Sequence, residues 1–126
     1  GSFAGEQSAI IEIASPDPMI RWRVVGAGRV ELSTNGGTRW EPATLPESAT
    51  LIAGSSPSAS ICWLVGRAGS IYVTTDGLRF VRVPFGDRTD FVSIRAIDGR
   101  RATVVTIDGR TMRTEDQGVT WIRVSP

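Results

Sequence analysis

Three stretches of this chain spell nearly the same turn at an even spacing, and that repeat constrains the fold more than any other feature. The first reads Ser33-Thr34-Asn35-Gly36-Gly37-Thr38-Arg39-Trp40 and the third Thr114-Glu115-Asp116-Gln117-Gly118-Val119-Thr120-Trp121. Between them, Thr74-Thr75-Asp76-Gly77-Leu78-Arg79-Phe80 follows the same plan with one residue fewer. Asn35 and Asp76 are 41 positions apart, Asp76 and Asp116 are 40 apart, and Trp22–Trp63, Gly28–Gly69 and Gly69–Gly109 keep that period. A fixed period of about 40 residues marks an array of one supersecondary unit.

Each unit holds four short runs rich in Val, Ile, Thr, Trp and Phe, separated by turn residues. The runs are Ile10–Ile13, Ile20–Val25, Arg29–Ser33 and Trp40–Thr44; Thr50–Ala53, Ile61–Val65, Ser70–Thr74 and Phe80–Pro84; and Phe91–Ala96, Ala102–Thr106, Arg110–Thr114 and Trp121–Val124. The breaks fall at Ser15–Pro18, Gly26–Gly28, Ser55–Ser58, Asp98-Gly99 and Asp108-Gly109. No segment carries an apolar stripe of helical period. The expected fold is therefore all-β, of the β-propeller type, with three four-stranded antiparallel blades. Their bounds are about 8–47, 48–88 and 89–126. Gly1-Ser2 without Met reads as a cleaved-tag scar, so residues 1–7 are expected to be a tag remnant and N-terminus of an excised piece.

The turns have a physical job. An Asp or Asn oxygen accepts from backbone N–H groups a few residues on. Gly37 and Gly118 allow positive φ, and Trp40, Phe80 and Trp121 fold over the turn toward the core. Ser33, Asn35, Gly37, Trp40, Thr74, Asp76, Phe80, Thr114, Asp116, Gly118 and Trp121 are thus expected to be structural rather than metal ligands. The pattern Ser/Thr-x-Asp/Asn-x-Gly-x-x-Trp resembles the Asp-box, or BNR, repeat of sialidase-like propellers.

Around it, Trp22-Arg23-Val24-Val25-Gly26-Ala27-Gly28-Arg29-Val30 and Trp63-Leu64-Val65-Gly66-Arg67-Ala68-Gly69-Ser70-Ile71 are similar to repeats of the photosystem II assembly and stability factor family. Rings of that family look like seven blades, against three here. The short repeat set also resembles the C-terminal domains of bacterial membrane-anchored zinc-finger or anti-sigma-like proteins, which implies a place outside the cytoplasmic membrane.

Composition narrows the chemistry. The chain has no His, one Cys (Cys62) and no Lys, and its fourteen Arg face thirteen Asp and Glu for a net charge of +1. Ser-His-Asp and Cys-His nucleophiles are excluded, as are Cys-rich zinc sites. A near-neutral chain has no global field to recruit nucleic acid or anionic membrane. With 40% hydrophobic residues and no apolar run near ~18, no segment here inserts into a membrane as a helix. A sialidase would need an Arg triad and a Tyr nucleophile, whereas Tyr72 is the one Tyr and sits mid-strand. No catalytic residue, metal or cofactor is expected.

What remains is binding. In a propeller, the turns joining strands two to three and four to one share a rim, which here collects Arg29, Arg67, Arg88 and Arg110 with Asp87 and Asp90. Such guanidinium groups suit a carboxylate, a phosphate or an acidic peptide. The partner is a protein or a small anionic ligand. Trp22 and Trp63 are expected to pack between blades, with Thr103 at the third equivalent place. An open three-blade arc should expose two apolar faces. The expected remedy is a homodimer closing a six-bladed ring, with a self-closed monomer, or a fragment lacking blades of a longer protein, as the alternatives. The functional expectation is a non-enzymatic recognition module at the extracytoplasmic end of a larger bacterial protein. The alternatives are an assembly or stability factor for a membrane complex, and a glycan-binding or sialidase-derived module.

Overall fold

A computed structural model describes residues 11–25 and 28–124 of the 126. Residues 1–7, the start of the first expected strand at Ile10, the turn residues Gly26 and Ala27, and the end of the third unit at 125–126 lie outside the described residues.

The chain is all-β, of the β-propeller type: among the described residues there are twelve strands and no helix. Blade 1 comprises β1 (Ile11–Ala14), β2 (Arg21–Val25), β3 (Arg29–Ser33) and β4 (Glu41–Pro42). Blade 2 comprises β5 (Leu51–Ser58), β6 (Ile61–Gly66), β7 (Ile71–Thr74) and β8 (Val81–Arg82). Blade 3 comprises β9 (Phe91–Ala96), β10 (Ala102–Thr106), β11 (Thr111–Thr114) and β12 (Ile122–Arg123). Each blade is an antiparallel meander in chain order.

Two details differ from the sequence expectation. The expected turn at Ser55–Ser58 is strand: β5 runs on to Ser58 through a register shift, and the hairpin turns at Ala59-Ser60. Ser56 explains this, because its hydroxyl donates to the Ser58 and Ile61 carbonyls, 2.7 Å each, stitching the irregular stretch to β6. Pro57 is tolerated because β5 is the first strand of its sheet, where no ladder bond is required of it. The fourth strands are also shorter than expected, two residues each, since Trp40, Phe80 and Trp121 belong to the preceding turns.

The first strands pack side by side, β1 on β5 and β5 on β9. Two cores result. Blades 1 and 2 enclose Ile13, Trp22, Val24, Leu32, Leu64 and Tyr72; blades 2 and 3 enclose Trp63, Val65, Ile71, Val73, Phe91 and Val104. Blade 2 is thus apolar on both faces, and its β6 reads as a continuous buried run instead of an alternation. Trp22 and Trp63 are both fully buried between blades, as expected. Each indole N–H also crosses the boundary: Trp22 donates to Gly77 O at 2.9 Å and Trp63 to Asp98 O at 3.0 Å.

The expectation of two apolar end faces is corrected in part: the central row of each is polar, while Val105 and the exposed Ile122 also lie on the outer face of blade 3. Cross-strand partners on the outer face of blade 1 are Glu12, Arg23 and Glu31, and on the outer face of blade 3 they are Arg95, Thr103 and Arg113. The alternation Arg21-Trp22-Arg23-Val24 keeps one face of β2 apolar and gives the other to charge. Polar outer faces are what the terminal units of a repeat array need to remain in water.

Candidate functional site

The rim is assembled by backbone bonds between successive connections. The β6–β7 turn donates from Arg67 N–H to Thr50 O (3.0 Å) and from Gly69 N–H to Thr89 O (2.7 Å). Ala68 N–H donates to Asp90 Oδ1 at 2.9 Å, and Ile107 N–H to Asp90 O at 2.9 Å. Asp90 therefore joins the turns of blades 2 and 3. Ala68 takes a φ of 57° and Gly69 one of 77°, so this turn presents the Arg67 backbone through two left-handed residues.

Arg29, Arg67 and Arg88 are exposed on this rim, and none has a carboxylate within 4.0 Å among the described residues. Arg110 is different. Its Nη1 donates to Asp87 Oδ2 and its Nε to Asp108 Oδ1, both at 3.2 Å, and these two bonds, Asp87 first, raise its pKa. The Asp108 carboxyl is held below its usual value, first by the Thr106 hydroxyl and then by Arg110. Arg110 is thus committed to two acids, and Asp87 also accepts Thr89 N–H at 3.1 Å.

Two clefts flank the β8–β9 connection. One, of 640 Å³, is lined by Glu47, Ser70, Tyr72, Arg82, Asp87 and Arg88. The other, of 470 Å³, is lined by Phe85, Asp87, Arg110, Met112, Val119 and Trp121. Phe85 stands edge-on to Phe91 at 4.9 Å and to Trp121 at 5.4 Å, giving the second cleft a rigid aromatic wall. Arg29 lies in a third cleft, with Glu31, Glu47 and Ser48.

Sequence reasoning missed Glu47 and Phe85. Glu47 accepts from the Tyr72 hydroxyl at 2.7 Å and from Arg82 Nη1 at 2.6 Å, across 25 and 35 residues, and no local pattern announces such a contact. Tyr72 is 1% exposed, and its phenol is pushed up to about 12, chiefly by burial and then by Glu47. A buried phenol with so high a pKa is poorly placed to act as a nucleophile. Burial likewise pushes the Cys62 thiol up, so this cysteine is inert packing.

The repeat turns lie away from these Arg-bearing connections. In each, the Ser or Thr hydroxyl donates to the acidic or amide oxygen two residues on: Ser33 to Asn35 at 3.0 Å, Thr74 to Asp76 at 2.9 Å and Thr114 to Asp116 at 2.8 Å. That oxygen then accepts a later backbone N–H, from Arg39, Arg79 or Thr120, at 2.9 Å in all three. Gly37 and Gly118 adopt φ of 92° and 86°. Phe80 is buried, whereas Trp40 and Trp121 are half-buried and use their indole N–H groups, toward Gly37 O at 3.1 Å and Pro84 O at 3.0 Å. Among the described residues, no group of three or more His, Cys, Asp or Glu is placed to hold a metal.

Asp116 also accepts from the Thr120 hydroxyl at 2.6 Å, and Thr120 is the main reason its carboxyl is lowered to about 2. A folded-state value below the unfolded ~3.9 stabilises the fold above that pH, and the contribution is lost as pH falls toward about 2. Thermal melts followed by circular dichroism between pH 5 and pH 2 (approximate limits) should therefore show a steeper loss of stability for the native chain than for Asp116→Asn. Asparagine already serves at position 35. Parallel curves would show that Asp116 does not carry this dependence.

No protein-family model and no curated protein matches the chain. Solved structures do. It is similar to YCF48 bound to D1 peptide, with a TM-score of 0.74 and 23% identity over 90% of this chain and 41% of that one. It is also similar to YCF48 from Cyanidioschyzon merolae, with a TM-score of 0.72 and 22% identity over 92% of this chain and 43% of that one. The chain therefore spans less than half the length of these propellers, and its likeness to the photosystem II assembly factor is a likeness of fold.

Proposed function

We propose that this chain is a non-catalytic recognition module whose Arg-bearing rim binds a protein segment carrying carboxylates. The observation that carries this reading is the set Arg29, Arg67 and Arg88, exposed on one rim without carboxylate partners among the described residues, beside clefts that offer apolar and hydrogen-bonding walls. Arg110 braces that rim through Asp87 and Asp108. The YCF48 neighbour bound to a D1 peptide supports a peptide as the class of ligand, and gives weight to the second reading, an assembly or stability factor for a membrane complex. We assign the repeat turns to the Asp-box type, and place the module at the extracytoplasmic end of a larger bacterial protein, on the family resemblance of its repeats.

A fluorescein-labelled hexaglutamate peptide is the probe, with hexalysine as the control. Fluorescence anisotropy should show salt-sensitive binding of hexaglutamate alone, weakened about 10-fold in Arg67→Ala/Arg88→Ala, since each exposed charge-assisted bond is worth about 0.7 kcal/mol. Undiminished binding by that variant, or equal binding of hexalysine, would remove the rim from the function.

A further inference from the structure

We propose that the outer face of blade 3 docks on the outer face of blade 1 of a second copy, so that two chains close one six-bladed ring through charge pairs. This goes beyond the recognition role and requires no ligand.

The argument rests on comparing equivalent cross-strand rows. At the first internal boundary, Ile13, Trp22 and Leu32 of blade 1 face the Gly54, Leu64 and Tyr72 row of blade 2. At the second, Ser55, Trp63 and Val73 face Ile94, Val104 and Met112. The next row in each direction is charged. Arg95, Thr103 and Arg113 stand where Ser55, Trp63 and Val73 stand in blade 2. Glu12, Arg23 and Glu31 stand where Gly54, Leu64 and Tyr72 stand.

Stacking the two end faces as the internal ones are stacked places first strand over first strand and third over third. Arg95 then meets Glu12, Arg113 meets Glu31, and the uncharged Thr103 meets Arg23. Two cations thus face a row with one net negative charge, in matching order. Arg95 has no carboxylate within 4.0 Å among the described residues, and Arg113 has only a 3.6 Å contact with exposed Glu115. Glu12 is held at 3.4 Å by Arg21 and remains half exposed. Glu31 is already paired with Arg23 at 2.7 Å, so Arg95 and Glu12 are the end-face groups freest to take new partners, and the Arg113 contact competes with Arg23.

Trp40 supplies a second, independent observation. Where a blade precedes, as at Trp121, the indole reaches across to that blade's Pro84 O at 3.0 Å. With no preceding blade, Trp40 turns back to its own Gly37 O at 3.1 Å and lies under Arg23, whose guanidinium is 4.2 Å from the ring. The turn glycines agree. A Cβ on Gly118 would meet Val83 of the preceding blade at 2.0 Å, whereas at Gly37 it would meet only Trp40 and Arg21 of its own blade. Blade 1 keeps the geometry of a receiving face with the place of the preceding blade open. Because each copy offers one face of each kind, a two-fold axis closes both contacts at once.

Light scattering coupled to size exclusion tests this. The native chain is expected at twice the chain mass in low salt and at the single chain mass in about 1 M salt, where the Debye length is about 3 Å. Arg95→Glu/Arg113→Glu and Glu12→Arg/Glu31→Arg should each be monomeric in low salt, with dissociation constants raised at least about 100-fold by like charges at both contacts. Mixing the two variants restores both pairings and should return the doubled mass. Arg95→Glu and Glu12→Arg, which disturb no ion pair shorter than 3.4 Å, repeat the test should either double variant melt early. A native chain that is monomeric at every concentration, a dimer indifferent to salt and to both variants, or variants whose mixture stays monomeric would each overturn the proposal. The first would leave closure within one chain, or an open arc, in its place.

Discussion

Replacing Trp63 by alanine is expected to lower the melting temperature by roughly 10 to 20 °C, corresponding to about 3–5 kcal/mol at a few degrees per kcal/mol. Trp63 is fully buried between blades 2 and 3, beside Val73, Ile94 and Val104. Removing the ring empties the centre of that core, and the neighbouring Phe91, Ile71 and Ile94 are held by their own strands and can fill the space only in part. The substitution also leaves the Asp98 carbonyl without the indole N–H that now reaches it at 3.0 Å. Trp63→Phe separates the two losses. It keeps most of the packing and deletes the bond, so about 1–2 kcal/mol should go. Thr103→Ala, at the equivalent place on the outer face of blade 3, should change stability by no more than about 0.5 kcal/mol. Denaturant melts of the three variants decide the matter. A Trp63→Ala chain as stable as Thr103→Ala would mean that the blades do not stack as described.

The second large effect comes from a single methyl group. A Cβ on Gly66 would sit 1.8 Å from the Thr50 carbonyl oxygen and 2.7 Å from its carbon, both backbone atoms with no rotamer to yield. Thr50 O accepts Arg67 N–H at 3.0 Å, so relieving the clash means parting the connection between blades 1 and 2 from the turn that carries Arg67. Gly66→Ala is therefore expected to cost about 3 kcal/mol, the upper end of overpacking, and to weaken hexaglutamate binding as well. Gly109→Ala is the informative contrast. Nothing lies within 4 Å of its Cβ, but its φ is 90°, so only backbone strain of about 1 kcal/mol is expected. Paired melting and anisotropy measurements should show Gly66→Ala failing in both and Gly109→Ala only mildly in the first. Equal effects would contradict the contact.

The fold was legible because its information is local and repeated. The 40- and 41-residue spacing set the three units, and the Asp98-Gly99 and Asp108-Gly109 turns fall between consecutive strands, β9 and β10 and then β10 and β11. Trp22 and Trp63 were legible as blade-to-blade packing for the same reason. Less was visible in the units where one element departs from the average. Ser55–Ser58 has the composition of a turn, yet Ser56 ties it into a strand through bonds whose partners depend on register. Register also hid the charged end rows. The first strand of blade 1 is offset from that of blade 2 by 42 residues rather than 41, so Glu12 does not line up with Gly54 until pairing with Arg23 is known. The rim was legible only in outline. Topology places Arg29, Arg67, Arg88 and Arg110 on one side, but the commitment of Arg110 to Asp87, 23 residues away, is a tertiary fact.

The shortness of β4, β8 and β12 has a consequence for how the molecule meets others in a crowded solution. Each outermost strand is two residues long and ends at once in turn or coil. An exposed strand recruits foreign chains by offering a row of unpaired amides, and two residues offer almost none. The circumference therefore cannot template cross-β growth. Under the two proposals above, association is then left to side chains at the ends of the arc and along its rim.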